Sequence, residues 1–232
     1  MSKSAIVCQN VTKQYGVKRA LSEFTLEIPQ GRVVGILGPN GSGKSTLFRL
    51  ITGLTRAEQG SIHVLGKLPG WRTNCDIAYL PDRARWYANH TVERAFRWAE
   101  QFLPGFDRAT AERLAEQMHL ELDMRAGGMS RGQEARLMLI LCIARDVPII
   151  ILDEPFAGID AISRERIIAG LIDHMSGGDR TVLISTHEIH EAEALFDYAV
   201  FLDEGRVLLG GDAEQLRSQY GAIHSIQQTL YR

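Results

Sequence analysis

Residues 38–46 have the sequence Gly38-Pro39-Asn40-Gly41-Ser42-Gly43-Lys44-Ser45-Thr46. They fit the pattern G-x-x-x-x-G-K-[ST] and lie between an apolar run (33–37) and a helix-like run (47–51). Glycines let such a loop bring its backbone N–H groups close to a phosphate, and the positive end of the following helix then faces the anion. The sequence therefore predicts a phosphate site in which Lys44 reaches the phosphates and the Ser45 hydroxyl ligates Mg²⁺. The alternative is a structural glycine turn ahead of a helix.

A second informative segment is Ile149-Ile150-Ile151-Leu152-Asp153-Glu154. Its continuous apolar run predicts a strand that is buried on both faces of a parallel sheet. Because ligands of open α/β sheets bind beyond the carboxyl ends of the strands, both carboxylates are expected near a ligand. We expect Asp153 to hold Mg²⁺ through water, and Glu154 to orient or deprotonate an attacking water. Acidic residues also commonly end strands without any catalytic role.

Strand and helix patterns alternate along most of the chain, which predicts an α/β fold. Strands are predicted at residues 5–8, 24–28, 33–37, 61–65, 77–80, 149–152 and 181–185, with a hairpin at 199–209. Helices are predicted at residues 47–51, 91–103, 107–118, 130–144, 162–175 and 188–196, with a final one at 213–220. We therefore expect one domain (1–232), made of a core (1–82 and 146–232) and a helical subdomain (about 83–145).

Composition excludes several classes of protein. The formal net charge is -2, which gives no electrostatic reason to expect a nucleic-acid partner. The longest apolar run, residues 137–144, is too short to cross a bilayer, and the N-terminus has no signal-peptide core. The three cysteines are widely spaced, so we expect reduced thiols and a cytosolic protein.

The segment Met129-Ser130-Arg131-Gly132-Gln133 resembles the signature sequence of ATP-binding-cassette (ABC) proteins, which is usually Leu-Ser-Gly-Gly-Gln. Together with the phosphate loop, the acidic strand end and a histidine after a strand, it makes the chain similar to that family from Tyr15 to about Gly211. The resemblance implies a P-loop NTPase core with a mostly parallel sheet, an N-terminal antiparallel β subdomain and the helical insert. It also implies ATP and Mg²⁺ as cofactors, and ATP hydrolysis as the reaction.

The same resemblance assigns roles to residues outside the phosphate loop. Tyr15 looks like the aromatic residue that stacks on adenine, although a plain surface tyrosine is the alternative. His187 resembles the histidine that contacts the γ-phosphate, and it joins Lys44 and Glu154 as a candidate catalytic residue. Gly158-Ile159-Asp160 resembles the loop through which two subunits communicate, although Asp160 is equally placed to cap the next helix.

Ser130 and Gly132 resemble the signature residues that touch the γ-phosphate bound by the opposite subunit, and Gln133 completes this set of nucleotide-binding candidates. Ser130 also begins a predicted helix, so it is a candidate N-cap as well. The two roles are compatible, because a helix N-terminus is itself an anion site. The resemblance therefore implies a homodimer or heterodimer of ATPase subunits, joined head to tail around two ATP molecules.

Two motifs depart from the family pattern, at three positions. Arg131 and Met129 replace the commoner Gly and Leu of the signature. Asp82 stands where the family has a loop glutamine, and an Asp still ligates Mg²⁺ or holds water through an oxygen. A turn residue after Pro81 is the alternative role of Asp82. Acidic residues at this position are similar to those of the exporter-type (ABC-2-like) branch.

The resemblance also implies a separate integral-membrane permease as partner and a location at the cytoplasmic face of the membrane. Trp86 and Tyr87 are candidate anchors for that permease, or alternatively core aromatics of the helical insert. We therefore expect the ATPase subunit of an exporter. The alternatives are a soluble ABC ATPase that acts as a mechanochemical switch, and a regulatory module with little turnover.

Overall fold

The computed structural model describes residues 3–82, 84–157, 159–175, 180–187 and 189–231. Its strands form two sheets. A three-stranded antiparallel sheet has the order β2-β1-β4, with β1 (Ser4–Tyr15), β2 (Lys18–Pro29) and β4 (Gln59–Val64). A six-stranded sheet has the order β5-β6-β7-β3-β8-β9, with β5 (Ile77–Leu80), β6 (Ile149–Asp153), β7 (Thr181–Thr186), β3 (Val33–Leu37), β8 (Tyr198–Asp203) and β9 (Arg206–Asp212).

The six-stranded sheet is parallel except for β9, which pairs antiparallel with β8. Every residue of β6 and β7 is buried, as expected for strands covered by helices on both faces. The order of the strands places β7 between β6 and β3, so the segments that follow these three strands meet at one edge of the sheet. This edge carries the phosphate loop, the acidic strand end and His187.

Helix α1 (Lys44–Ile51) packs against strands of both sheets. Its Leu47 and Phe48 are fully buried in a cluster that joins the antiparallel sheet to one face of the parallel sheet. Burial of side chains of this size stabilises the fold by roughly 1.5–3 kcal/mol each. The N-terminus of α1 is therefore held firmly at the end of β3.

The helical insert consists of α2 (Val92–Phe102), α3 (Arg108–Gln117) and α4 (Arg131–Ile143). Asp107 caps α3 as predicted, because its side chain accepts a hydrogen bond from Thr110 N at 3.0 Å. The buried side chains of the insert share one cluster with the second face of the parallel sheet. Arg145 fixes the junction by donating to Ile77 O and Pro104 O, each at 2.9 Å.

The C-terminal third contains α5 (Ala161–Met175), α6 (Ile189–Ala192), α7 (Ala213–Tyr220) and α8 (Ile223–Leu230). The predicted helix 188–196 is wrong in part: α6 is short and a 3-10 turn, Glu193–Leu195, follows it, while residue 188 lies outside the described residues. The prediction that α7 is the final helix is also wrong, because α8 follows it. Among the described residues, no helix has the length and apolarity needed to cross a membrane.

Candidate nucleotide site

The loop between β3 and α1 depends on glycine for its shape. Gly38 has φ 152°, and a Cβ at this position would lie 2.3 Å from Leu202 O. Gly43 has φ 112°, and a Cβ there would lie 2.7 Å from Ala20 O. Any side chain at either position would therefore clash with backbone. The first N–H groups of α1 have no partner within the helix, so they are available to an anion at the loop.

Lys44 is held over this loop by its own backbone. Its Nζ donates to Gly38 O at 2.7 Å and to Pro39 O at 3.1 Å, and it lies 3.7 Å from Glu154 Oε1. Burial lowers the pKa of Lys44, while the negative charges of Glu154 and Asp153 oppose that shift. The two carboxylates thus help to keep a cation in a buried position.

Asp153 is almost fully buried at the end of β6. Its Oδ1 accepts a hydrogen bond from Ser185 Oγ at 2.7 Å. Burial raises the pKa of Asp153, and the negative charges of Glu154 and Asp82 add to this, whereas hydrogen bonds from the Ser185 and Ser45 side chains oppose it. The predicted metal ligands Ser45, Asp82 and Asp153 are therefore neighbours in the folded chain.

Glu154 has a backbone conformation that is uncommon for a residue with a side chain, with φ 51°. Its N–H donates to Ser185 Oγ at 2.9 Å, and to Ser185 O at 3.1 Å. Its Oε2 lies 2.8 Å from His187 Nδ1 and accepts from His187 N at 3.3 Å. Strained conformations of this kind cost roughly 1–3 kcal/mol and persist where the surroundings fix them. In this conformation the Glu154 carboxylate lies between Lys44 and His187.

A cavity of about 680 Å³ opens above these groups. It runs from Asn40 of the phosphate loop and from Glu154 to the first turns of α4, where Arg131 and Glu134 line it. Asp82, which follows β5, also lines the cavity. The space is of the size that proteins use for small ligands and cofactors.

The side-chain oxygens in and beside the cavity fit a nucleotide with Mg²⁺. Ser42 Oγ and Glu154 Oε1 are buried, and neither atom has a hydrogen-bond partner among the described residues. The described residues contain no cluster of three or more His, Cys, Asp or Glu side chains that would hold a metal ion alone. Mg²⁺ does not require such a cluster, because it binds one or two carboxylates, water and phosphate oxygens. Asp153 and Ser45 supply the protein oxygens for this arrangement.

Three residues of the signature, Ser130, Gly132 and Gln133, do not line this cavity. Ser130 caps α4: its Oγ accepts from Gln133 N at 3.2 Å, and Gln133 Oε1 accepts from Ser130 N at 2.9 Å. Gly132 is buried in the first turn of the helix. None of the three is among the residues that line the cavity, although Arg131 and Glu134 beside them are. Among the described residues, no hydrogen bond links Ser130, Gly132 or Gln133 to loop 38–46.

Tyr15 lies at the end of β1, where it pairs with Lys18 of β2. Its ring is 45% exposed, and Lys13 Nζ lies 5.1 Å from the ring centroid. Lys18 Nζ lies 3.5 Å from the position that a Cβ on Gly41 would take. The hairpin that carries Tyr15 is therefore next to the phosphate loop, with the ring accessible to a ligand.

Asp160 lies just before α5, at the place expected for the subunit-contact loop. Its carbonyl accepts from Arg164 N at 3.0 Å, which closes the first turn of the helix. Gly158, in the same predicted loop, lies outside the described residues.

Sequence reasoning missed two residues of the site. Ser185 hydrogen-bonds both Asp153 and the backbone of Glu154, and the Tyr79 side chain lies close enough to Asp153 to feel its charge. Burial raises the pKa of Tyr79, and the nearby charge of Asp153 adds to that shift. The position of Ser185 near the end of a buried strand, two residues before His187, was a signal that pointed to the same sheet edge.

Comparisons with known proteins identify the family of this chain. The family model described as ABC transporter matches residues 21–157, which is more than half of the chain. An uncharacterized ABC transporter ATP-binding protein from Rhizobium meliloti is 34% identical over 91% of this chain and 82% of its own length. The lipopolysaccharide export system ATP-binding protein LptB from Haemophilus influenzae is 30% identical, with 92% of each chain covered.

A solved structure described as the ATP binding subunit of an ABC transporter has the same fold. It superposes with a TM-score of 0.85 at 26% identity, and covers 99% of this chain and 100% of its own. The predicted α/β fold, with its antiparallel N-terminal sheet, its mostly parallel main sheet and its helical segment, is therefore confirmed. The chain belongs to the ABC transporter family as an ATP-binding subunit, an ATPase whose hydrolysis of ATP is coupled to transport.

Proposed function

We propose that the cavity at the carboxyl edge of the parallel sheet is the ATPase site and that Lys44, Glu154 and His187 are its catalytic residues. The observation that carries this proposal is the contact chain from Lys44 Nζ to Glu154 Oε1 at 3.7 Å, and from Glu154 Oε2 to His187 Nδ1 at 2.8 Å. These groups lie beside the glycine loop 38–46 and line or adjoin one cavity. A cation, a carboxylate and a histidine are thereby placed where a terminal phosphate would react.

Each side chain has a separate task in this proposal. Backbone N–H groups of loop 38–46 and Lys44 bind the phosphates and stabilise the negative charge that spreads over them during transfer. Glu154 orients the attacking water and accepts its proton. His187 holds the Glu154 carboxylate through Nδ1 and contacts the γ-phosphate. Mg²⁺, when bound by Asp153, Ser45 and Asp82, neutralises phosphate charge. Tyr15 stacks on the adenine.

We also propose that a complete site takes residues from two copies of the ATPase subunit, arranged head to tail. Supporting this, Ser130, Gly132 and Gln133 do not line the cavity that Asn40 of their own phosphate loop lines. The capped N-terminus of α4 is an anion site that a second phosphate loop is able to use. Asp160, before α5, contacts the partner copy in this arrangement.

A mixing experiment tests the shared site. Lys44→Ala removes the phosphate-loop cation, and Ser130→Arg blocks the capped end of α4. Consider a head-to-tail pair that contains one copy of each variant. One of its sites combines the two substituted residues, and the other site combines the wild-type Lys44 of one copy with the wild-type Ser130 of the other. Random pairing restores about a quarter of the wild-type sites, so the mixture regains activity that neither variant has alone. If the mixture stays inactive while each variant still folds, the site is not shared.

Subunits of this family act together with transmembrane permease components. We propose that this chain binds such a permease at the cytoplasmic face of the membrane, through the helical subdomain (about 83–145) of a single domain (1–232). Trp86 packs partly against the core of that subdomain, while Tyr87 is 60% exposed. Tyr87, Trp98 and Phe102 form an exposed row of aromatic contacts, with ring centroids 6.1 Å and 5.1 Å apart. Exposed aromatics of this kind are common anchors of interfaces.

We propose export as the direction of transport, because Asp82 replaces the loop glutamine. The LptB relative is also named as part of an export system. Co-purification with the permease tests the proposed contact, and transport by membrane vesicles that contain both subunits tests the direction. Tyr87→Ala is expected to reduce co-purification of the permease, whereas Tyr220→Ala, a similarly exposed tyrosine on α7, is expected to leave it unchanged. Accumulation of substrate on the ATP side of the membrane would contradict export.

A further inference from the structure

Tyr231, which follows α8, hydrogen-bonds through its side chain to the strands next to the phosphate loop. The Tyr231 hydroxyl donates to Leu202 O of β8 at 2.9 Å, and Leu37 O of β3 lies 3.4 Å from the same oxygen. Because a phenol has one hydrogen to donate, the shorter contact is the main hydrogen bond. Burial raises the pKa of Tyr231, and the charge of Asp203 adds to that shift, so the hydroxyl keeps its hydrogen.

Leu202 O is also the atom on which the phosphate loop rests. A Cβ on Gly38 would lie only 2.3 Å from it, so the Gly38 backbone packs directly against this carbonyl. The turn of the same β8–β9 hairpin holds a second point of the loop, since Gly205 N donates to Ser42 O at 3.0 Å. The hairpin is therefore the support of the loop, and Tyr231 fixes one of its two contact points.

The position of Tyr231 is itself fixed by α8. Ile223 and Ile226 of this helix are buried in the large core cluster. At the start of the helix, His224 N donates to Glu193 Oε2 at 3.0 Å. The phenol is thus attached to a packed helix whose movement would disturb a buried contact.

We propose that Tyr231 is a positioning residue for nucleotide binding. Its hydroxyl fixes Leu202 O, Leu202 O sets where Gly38 turns, and that turn sets the direction of the N–H groups of loop 38–43. Tyr231 acts through Leu202 and does not touch the nucleotide. The inference rests on the proposed assignment of this loop to the phosphates of ATP.

The substitution Tyr231→Phe tests the role, because it keeps the ring and removes only the hydroxyl. The dissociation constant for ATP is expected to rise about fivefold, which corresponds to losing one hydrogen bond that helps to hold the loop in its binding shape. The value of kcat at saturating ATP is expected to change less. Amide hydrogen exchange at residues 38–43 of the nucleotide-free protein is expected to become faster. Tyr220→Phe, on the exposed tyrosine of α7, is the matched control and is expected to change neither quantity.

Two results would overturn the proposal or its basis, and they are distinguishable. If Tyr231→Phe lowers only the melting temperature, with wild-type affinity and wild-type exchange at 38–43, the hydroxyl stabilises α8 and does not position the loop. Lys44→Ala tests the basis separately. Loss of affinity in Lys44→Ala but not in Tyr231→Phe overturns the positioning role alone, whereas wild-type affinity in Lys44→Ala overturns the assignment of the loop.

Discussion

Replacement of Glu154 by Gln separates the chemistry of the site from nucleotide binding. Gln has almost the same shape, and its amide oxygen is able to accept the hydrogen bond from His187 N. The negative charge that lies 3.7 Å from Lys44 Nζ is lost, and with it the ability to accept a proton from water. Proton transfer by a positioned side chain contributes about 10²–10⁴-fold to a rate, which corresponds to roughly 3–5 kcal/mol. We therefore expect kcat to fall by at least about a hundredfold.

ATP binding is expected to persist in Glu154→Gln, because the variant removes a negative charge that faces the phosphates. Phosphate release at saturating Mg-ATP measures turnover, and equilibrium dialysis measures binding. Glu116→Gln is the matched control, since it makes the same change at an exposed position of α3. A Glu154→Gln protein that hydrolyses ATP at the wild-type rate would refute the role of Glu154. If Glu154→Gln loses both ATP binding and turnover, the main role of the carboxylate is to hold Lys44 in place.

Three further outcomes are expected. Lys44→Ala should weaken nucleotide binding by at least about tenfold, because one charge-assisted hydrogen bond to phosphate is lost. Unchanged affinity by calorimetry would contradict the phosphate-loop assignment. Ser185→Ala should lower the free energy of unfolding by about 1–3 kcal/mol, because the buried Asp153 carboxylate loses the hydrogen bond from Ser185 Oγ. An unshifted urea midpoint would contradict this. Burial raises the pKa of the Cys8 and Cys142 thiols to about 12, whereas Cys75 is exposed. A thiol reagent should therefore modify one cysteine in the folded protein and three after denaturation.

The sequence predicted strands well where a breaker marks their ends. β3 and β5 have the predicted bounds, because Gly38 and Pro81 follow their last residues. β1 and β2 are each 12 residues long, much longer than predicted. Register shifts interrupt their pairing, and Asn10 has φ 51°, so the two-residue alternation on which the prediction depends is broken inside the strand.

Helix α8 shows a different limit of sequence reasoning. It has eight residues, of which only Ile223 and Ile226 are buried, and this is too little for a clear helical period. Its stability comes from tertiary contacts such as that of His224 with Glu193. A helix of this kind becomes recognisable only when the rest of the fold is present.

In the candidate site, the motifs identified the groups but not how they are joined. Asp153 pairs in register with Ser185 across two parallel strands, and this pairing depends on strand order rather than on local sequence. The left-handed conformation of Glu154 is likewise not readable from its residue type. The support of Gly38 by Leu202 O and Tyr231 joins three distant parts of the chain.

The central claim is that ATP joins the phosphate loop of one copy to the capped N-terminus of α4 in another. A structure of the Glu154→Gln variant with Mg-ATP tests it most directly. We predict a pair of chains in which the terminal phosphate lies between Lys44 of one copy and the Ser130 end of the other. A single chain with ATP on its loop, and with the Ser130 end facing solvent both in the structure and in solution, would contradict the claim.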